Sequence, residues 1–185
     1  MIEVNFDGLC QPYNPGGIAC YAFVVQNKAQ EYGLAAEPFS DNASNNVAEY
    51  IAVIKALEWL IRGNYNGENI IVRGDSKLVI FQIKRKYKVK AQRIIPLYNK
   101  LIALIPKFKY INFEWVSREE NREADRLSYK AYEQILDSTP ELYKKVSPYM
   151  ATAKQVKILR MLGIEPEKYL SKMEANRLIS KFSIL

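Results

Sequence analysis

The chain contains no histidine among its 185 residues. That excludes histidine-dependent triads, imidazole acid–base catalysis and most zinc centres. Its two cysteines, Cys10 and Cys20, are too few for a disulfide scaffold or a cysteine-rich zinc site. They are expected to be small buried or half-buried thiols of an intracellular protein, with the cytoplasm as its location. No run of eighteen apolar residues occurs, so no membrane-spanning helix is expected. The opening Met1-Ile2-Glu3-Val4 lacks a basic stretch followed by an apolar one, so no secretory leader is expected.

What is present is a basic chain able to build a core. Hydrophobic residues make up 49% of it, and the formal charge is +7. A positive balance favours polyanions such as nucleic acid or an acidic membrane surface, although solubility alone also calls for charge. The length suits one ordinary domain with a small addition.

Ile2, Val4 and Phe6 alternate with Glu3, Asn5 and Asp7, the pattern of a strand with Asp7 near its end. A turn-rich stretch over 8–17 follows, then an apolar strand over 18–25. Gln26-Asn27-Lys28 suits a hairpin turn, and 31–36 can return as a third strand. Val47, Tyr50, Ile51, Ile54, Leu57 and Ile61 recur at helical spacing, with Ser44 or Asn46 as cap and Gly63 as the stop. Ile70 to Val72 is short and β-branched and reads as a central strand buried on both faces. A helix is expected over 77–83, another beginning at Pro96, a fifth strand over 110–116, and a last helix capped by Asn121. The order β-β-β-α-β-α-α-β-α implies an α/β fold with a mixed five-stranded sheet flanked by helices.

Four acids stand at informative places: Asp7 on the first strand, Glu49 on the first helix, Asp75 at the exit of the central strand and Asp125 on the last helix. Two of them have a purely structural alternative. Asp75 can cap the helix after it, and Glu49 can close a capping box with Asn46. If the first and fourth strands are neighbours, Asp7 and Asp75 lie side by side. Clustered carboxylates raise one another's pKa, so such a group makes sense only with cations to neutralise it. Oxygen ligands without histidine point to magnesium, with manganese as the alternative. Two such ions about 3.5–4 Å apart can activate a water and steady the leaving oxygen of a phosphodiester.

Five segments carry a resemblance: Asp7-Gly8, Asn14-Pro15-Gly16-Gly17, the run from Ser44 to Glu49, Gly74-Asp75-Ser76, and the run from Trp115 to Leu127. In order and spacing they resemble type-1 ribonuclease H, archaeal-like, over roughly residues 1 to 132. The resemblance implies a ribonuclease H-like fold and hydrolysis of the RNA strand of RNA/DNA hybrids with two metal ions. It assigns Asp7, Glu49, Asp75 and Asp125 as catalytic metal ligands. Expected substrate contacts are Cys10, Asn14, Asn45, Asn46, Lys77, Lys84, Arg85, Lys86, Lys88 and Arg118. The asparagines match positions that face the minor groove, where the 2′-hydroxyl distinguishes RNA from DNA. The run 84–90 resembles a shortened basic protrusion, with a solvated lysine-rich loop as the alternative. Arg118 stands in the loop where many members carry a histidine. Double-stranded RNA is a second candidate partner. A DNA-cutting relative on the same fold and a binding module without hydrolysis are the competing readings; the Asn45-Asn46 pair argues against the first, and the complete set of acids against the second.

The expected domains are a catalytic domain over 1–135, a linker over 136–150 and a small helical extension over 151–185. Thr152 to Gln155 and Ser171 to Glu174 are capping-box patterns, and Gly163 suits a helix end. Val156, Leu159 and Leu162 are expected to meet Leu178, Ile179 and Phe182. About 35 residues fall short of the roughly 40 that a self-sufficient core needs. Seven basic residues against three glutamates suggest that the extension grips nucleic acid, with docking on the catalytic domain as the alternative.

Overall fold

Alternating apolar residues at Ile2, Val4 and Phe6 place one face of the first strand, β1 (Ile2–Gln11), in the core. A computed structural model describes residues 1–182. β2 (Ile18–Val25) is buried along its whole length, as its unbroken apolar run requires. β3 (Ala29–Leu34) pairs antiparallel with β2 and is half wet, as an edge strand is; it begins two residues earlier than the sequence suggests. β4 (Asn69–Gly74) and β5 (Tyr110–Trp115) complete a sheet of order β3-β2-β1-β4-β5. β4 runs parallel to both of its neighbours. The mixed five-stranded sheet with helical crossovers is therefore as expected.

α1 (Asn45–Arg62) starts at Ser44, whose hydroxyl accepts from the Val47 amide at 3.3 Å. Tyr50, Ile54 and Leu57 of its apolar stripe are fully buried in the main core with Phe6, Phe23 and Val72, and Ile51 and Ile61 pack partly buried against it. Two glycines set how closely the layers approach. A Cβ on Gly8 would lie 2.2 Å from the Glu49 amide nitrogen and 2.4 Å from the Ala48 carbonyl carbon. Only a residue without a side chain lets β1 lie against the α1 backbone there. A Cβ on Gly74 would lie 2.5 Å from the Phe6 ring. α2 (Lys77–Ile83), α3 (Ile95–Leu104) and α4 (Arg122–Ser138) supply the remaining helices of this part of the chain.

The chain divides into two compact units. The first comprises Met1–Cys10 with Asn14–Tyr132, and the second Gln11–Tyr13 with the chain from Glu133 onward. The stretch 136–150, which reads as a loose linker, is instead ordered helix. It holds the end of α4, then α5 (Pro140–Val146) and a 3-10 turn at Ser147–Tyr149. Pro140 at the first turn and Glu141 beside it are good helix starters, and the breaker signal of Thr139-Pro140 marks the junction between two helices.

Within the second unit, α6 (Ala153–Met161) begins with the expected capping box. The Thr152 amide donates to Gln155 Oε1 at 2.8 Å, and the Gln155 amide donates to Thr152 Oγ1 at 3.2 Å. Gly163 takes φ +76° after the helix, as its sequence position requires. At α7 (Lys172–Phe182) the Glu174 amide donates to Ser171 Oγ at 3.1 Å, and the Glu174 carboxylate pairs with Arg177. Leu159, Leu170 and Ala175 form the small core, with Leu178 and Ile179 against it. Leu162 and Phe182, expected in that core, are exposed. The last three residues of the expected extension lie outside the described residues. Among the described residues no helix is long and apolar enough to cross a membrane.

Candidate active site

The register Phe6↔Gly74 brings Asp7 and Asp75 off adjacent parallel strands at the same level. The close approach at Gly8 brings Glu49 of α1 beside them, and the first turn of α4 brings Asp125. Each of the four carboxylates faces its own protein donor. Ser128 Oγ donates to Asp7 Oδ2 at 2.5 Å. Ser76 Oγ donates to Glu49 Oε2 at 2.5 Å. Asn121 Nδ2 donates to Asp75 Oδ1 at 3.1 Å. Arg118 Nη2 donates to Asp125 Oδ1 at 2.6 Å.

These contacts decide the structural alternatives. The cap of α2 is Ser76, whose hydroxyl accepts from the Val79 amide at 3.4 Å while donating to Glu49. Asp75 does not cap the helix; its backbone carbonyl accepts from Trp115 Nε1 at 3.0 Å. The Glu49 carboxylate turns to Ser76 and not back to Asn46, so no capping box forms.

Electrostatics mark two of the acids. Burial pushes the Asp7 carboxyl up to about 7, and the negative charges of Asp75 and Asp125 add to the shift; Ser128 pulls the other way. Burial likewise pushes Glu49 up to about 8, with Asp7 and Asp75 adding to it against the Ser76 hydrogen bond. A carboxyl held neutral near pH 7 by burial and like charge is one whose ionised form lacks a counter-charge. Among the described residues no three acid side chains converge in a geometry that would grip an ion; each is turned onto its hydroxyl, amide or guanidinium partner. The donor set, all oxygen and short of positive charge, fits a hard divalent cation.

The expected substrate contacts fall into three groups. Asn14 Oδ1 accepts from the Asn45 amide at 3.0 Å, tying the turn after β1 to the start of α1. Asn45 Oδ1 is buried without a hydrogen-bond partner, and Asn46 follows it, half exposed. Cys10, in contrast, is packed among Ala19, Ala43 and Ala48 with only 4% exposure, so its thiol does not face solvent. Lys77 lies with its ammonium 4.5 Å from the centre of the Trp115 ring, next to Asp75. Lys84, Arg85, Lys86 and Lys88 are exposed in the loop after α2, away from the acids in sequence. That loop is anchored from below: Gln82 Nε2 donates to the Lys88 carbonyl at 3.2 Å, and Gln82 Oε1 accepts from Tyr50 at 2.7 Å. Arg118 belongs to a tight 3-10 turn. The Ser117 amide and hydroxyl both donate to Glu120 Oε2 there, at 3.0 and 2.9 Å, which fixes the loop beside Asp125.

Sequence reasoning missed Ser128 and the side-chain role of Asn121. Ser128 lies three residues after Asp125, one turn on along the same helix face, a spacing that could have flagged it. Asn121 reads as a helix cap, a role that only its backbone fills: its carbonyl accepts from the Asp125 amide at 3.1 Å.

The family model described as reverse transcriptase-like matches residues 5–131. The chain belongs to this reverse transcriptase-like family. Among its relatives is the bifunctional protein Rv2228c of Mycobacterium tuberculosis, 36% identical over 126 residues, which are 68% of this chain and 34% of the relative. The chain thus spans about a third of the length of such curated relatives. The N-terminal ribonuclease H domain of Rv2228c, solved as a fusion with maltose-binding protein, has a TM-score of 0.64 at 31% identity and covers 74% of this chain and 96% of its own. LC11-RNase H1, solved in complex with an RNA/DNA hybrid, has a TM-score of 0.64 at 28% identity and covers 74% of this chain and 99% of its own. The sheet and helices of the first unit are those of the ribonuclease H fold.

Proposed function

We propose that this chain is a divalent-metal-dependent ribonuclease H that hydrolyses the RNA strand of RNA/DNA hybrids. The observation that carries the reading is the cluster of four carboxyl groups from four separate elements, two of them held near neutrality by burial and mutual repulsion. Family membership and the hybrid-bound relative support it. Asp7, Glu49, Asp75 and Asp125 would hold two ions, magnesium or manganese. Such ions, when bound, lower the pKa of a water and neutralise the charge developing on the leaving oxygen.

The chain's own residues supply the rest. Ser76, Ser128 and Asn121 orient three of the carboxylates. Arg118, which is 64% exposed, is held at Asp125 by a surface pair worth only about 0–1 kcal/mol, so it yields readily when Asp125 takes a cation. Asn45, whose amide is held by Asn14, and the half-exposed Asn46 beside it present amide groups at the start of α1 for a 2′-hydroxyl to meet. Lys77 and the loop cations Lys84, Arg85, Lys86 and Lys88 neutralise phosphates.

The test is the isosteric Asp75→Asn variant. It should retain its fold and hybrid binding while losing magnesium-dependent cleavage, because the side chain keeps its shape and loses its charge. Near-normal turnover in pure Asp75→Asn protein would overturn the reading.

A further inference from the structure

Asn121 is buried at 1% exposure, and both ends of its amide are occupied. Its Nδ2 donates to the Phe6 carbonyl at 2.9 Å and to Asp75 Oδ1 at 3.1 Å. Its Oδ1 accepts from Asn5 Nδ2 at 3.0 Å. The amide is thereby read from three directions: β1 through Asn5 and Phe6, and the exit of β4 through Asp75. An amide group is nearly symmetric in shape, so what decides which end faces Asp75 is its partners. The Phe6 carbonyl and the Asp75 carboxylate only accept, which calls for the nitrogen end on their side, and Asn5 completes the set by donating to Oδ1, so all three partners agree on one orientation.

We propose that Asn5 and Asn121 form a positioning relay that fixes the Asp75 carboxylate before a cation binds. Asn5 lines a polar cavity of about 420 Å³ with Glu3, Gln26, Arg73 and Glu114, and its side chain is linked to Asp75 through Asn121. The inference rests on the reading of Asp75 as a metal ligand. Partners of ligating carboxylates typically change metal affinity by about 10–100-fold when removed. Asn5 acts one residue further out, and its effect should lie near the lower end.

Asn5→Asp makes the decisive variant. It has the same shape but only acceptors, so it sets an oxygen against Asn121 Oδ1; whether the amide is pushed away or reverses, its hold on Asp75 loosens. The reversed amide would turn an oxygen toward both the Phe6 carbonyl and Asp75. The added negative charge would by itself strengthen cation binding, so Gln26→Glu serves as the control, placing a like charge on the same cavity wall without touching Asn121. The readout is the magnesium concentration that gives half of the cation-induced rise in melting temperature, measured on the full chain without nucleic acid. Asn5→Asp should need about tenfold more magnesium than the parent, whereas Gln26→Glu should need the same or less. Equal midpoints for the two variants would overturn the relay, as would a parent protein whose melting temperature does not respond to magnesium. If Asn5→Asp does not fold, Asn5→Ala carries the test: the unlocked amide should raise the midpoint several-fold, and an unchanged midpoint overturns the proposal. Hybrid cleavage, measured separately, distinguishes the two ideas. A magnesium-responsive parent that leaves hybrids intact defeats the nuclease reading and leaves the relay standing, and a cleaving parent with an unaffected Asn5→Asp variant defeats the relay alone.

Discussion

Without divalent cations at pH 8, the variant Asp7→Asn should be more stable than the parent protein and at the same time inactive. Folding raises the Asp7 carboxyl from 3.8 to about 7 and the Glu49 carboxyl from 4.5 to about 8. Both folded values lie above the unfolded ones, so between them the folded chain holds protons that the unfolded chain has released. The contribution of these groups to stability is complete below about pH 4. It is lost as pH rises through about 7 for Asp7 and about 8 for Glu49. For Asp7 the rise from 3.8 to about 7 corresponds to about 4 kcal/mol. Burial is the main cause, with repulsion from Asp75 and Asp125 added, and the rise at Glu49 itself includes the charge of Asp7, so the two losses do not simply add. Asn cannot ionise and keeps an oxygen for Ser128, so the variant should recover roughly 2–4 kcal/mol, about 5–15 °C in a chain of this size. The assay is thermal melting in EDTA from pH 5 to 9, repeated with magnesium. The parent should lose stability across that range in EDTA and regain it with magnesium, while Asp7→Asn should be flatter and insensitive to the ion. A parent curve that is flat or rises from pH 5 to 8 in EDTA, or an Asp7→Asn variant less stable than the parent at pH 8, would refute the reasoning.

Three further outcomes are expected. Gly8→Ala would drive a methyl into the α1 backbone at Ala48 and Glu49, costing about 1–3 kcal/mol or more and moving Glu49 off Asp7; urea unfolding midpoints and cleavage rates should fall together, and a stable, fully active variant would contradict the close approach. Neutralising Lys84, Arg85, Lys86 and Lys88 together should weaken hybrid binding and flatten its salt dependence, by roughly 0.9 in the log–log slope for each phosphate left without its cation; an unchanged slope would remove this loop from the interface. Truncation after Tyr149 should lower the melting temperature, because it takes Lys168 and Tyr169 from Asp137, Tyr169 from Tyr143, and Lys172 from the Pro148 carbonyl. Saturated turnover should persist, since all four acids belong to the first unit, and a large loss of affinity at constant melting temperature would instead mark the extension as a nucleic-acid grip.

The strands and the acids were legible because they rest on local signals. Period-two alternation marks β1, an unbroken apolar run marks β2, and an apolar stretch ending in Gly74-Asp75 marks β4 and its exit. The glycines beside Asp7 and Asp75 were visible too, but the reason for them is tertiary: one accommodates the α1 backbone and the other the Phe6 ring. Asn121 was not legible as a site residue, because an asparagine before a helix looks like a cap and its partners, Asn5 and Asp75, lie 116 and 46 residues away. Cys10 matched a substrate loop by position, while the alternation of β1 turns its thiol into the core. The extension is less legible for a different reason. Its surplus of basic residues suggested a polyanion partner, yet Arg160, Lys168 and Arg177 are paired with Glu165, Asp137 and Glu174. Net charge records composition and cannot tell which cations already have an anion beside them. The stretch 136–150 read as loose because Pro140 breaks the pattern, when that proline opens a new helix.

The central claim is tested most directly by incubating the protein with an end-labelled RNA/DNA hybrid, a DNA duplex and an RNA duplex, each with magnesium and with EDTA. The expected result is cutting of the RNA strand of the hybrid in magnesium alone, with the DNA strand and the DNA duplex intact. An intact hybrid in magnesium and in manganese, or RNA cutting that continues undiminished in EDTA, would contradict the assignment of the four carboxylates to a metal-dependent ribonuclease H.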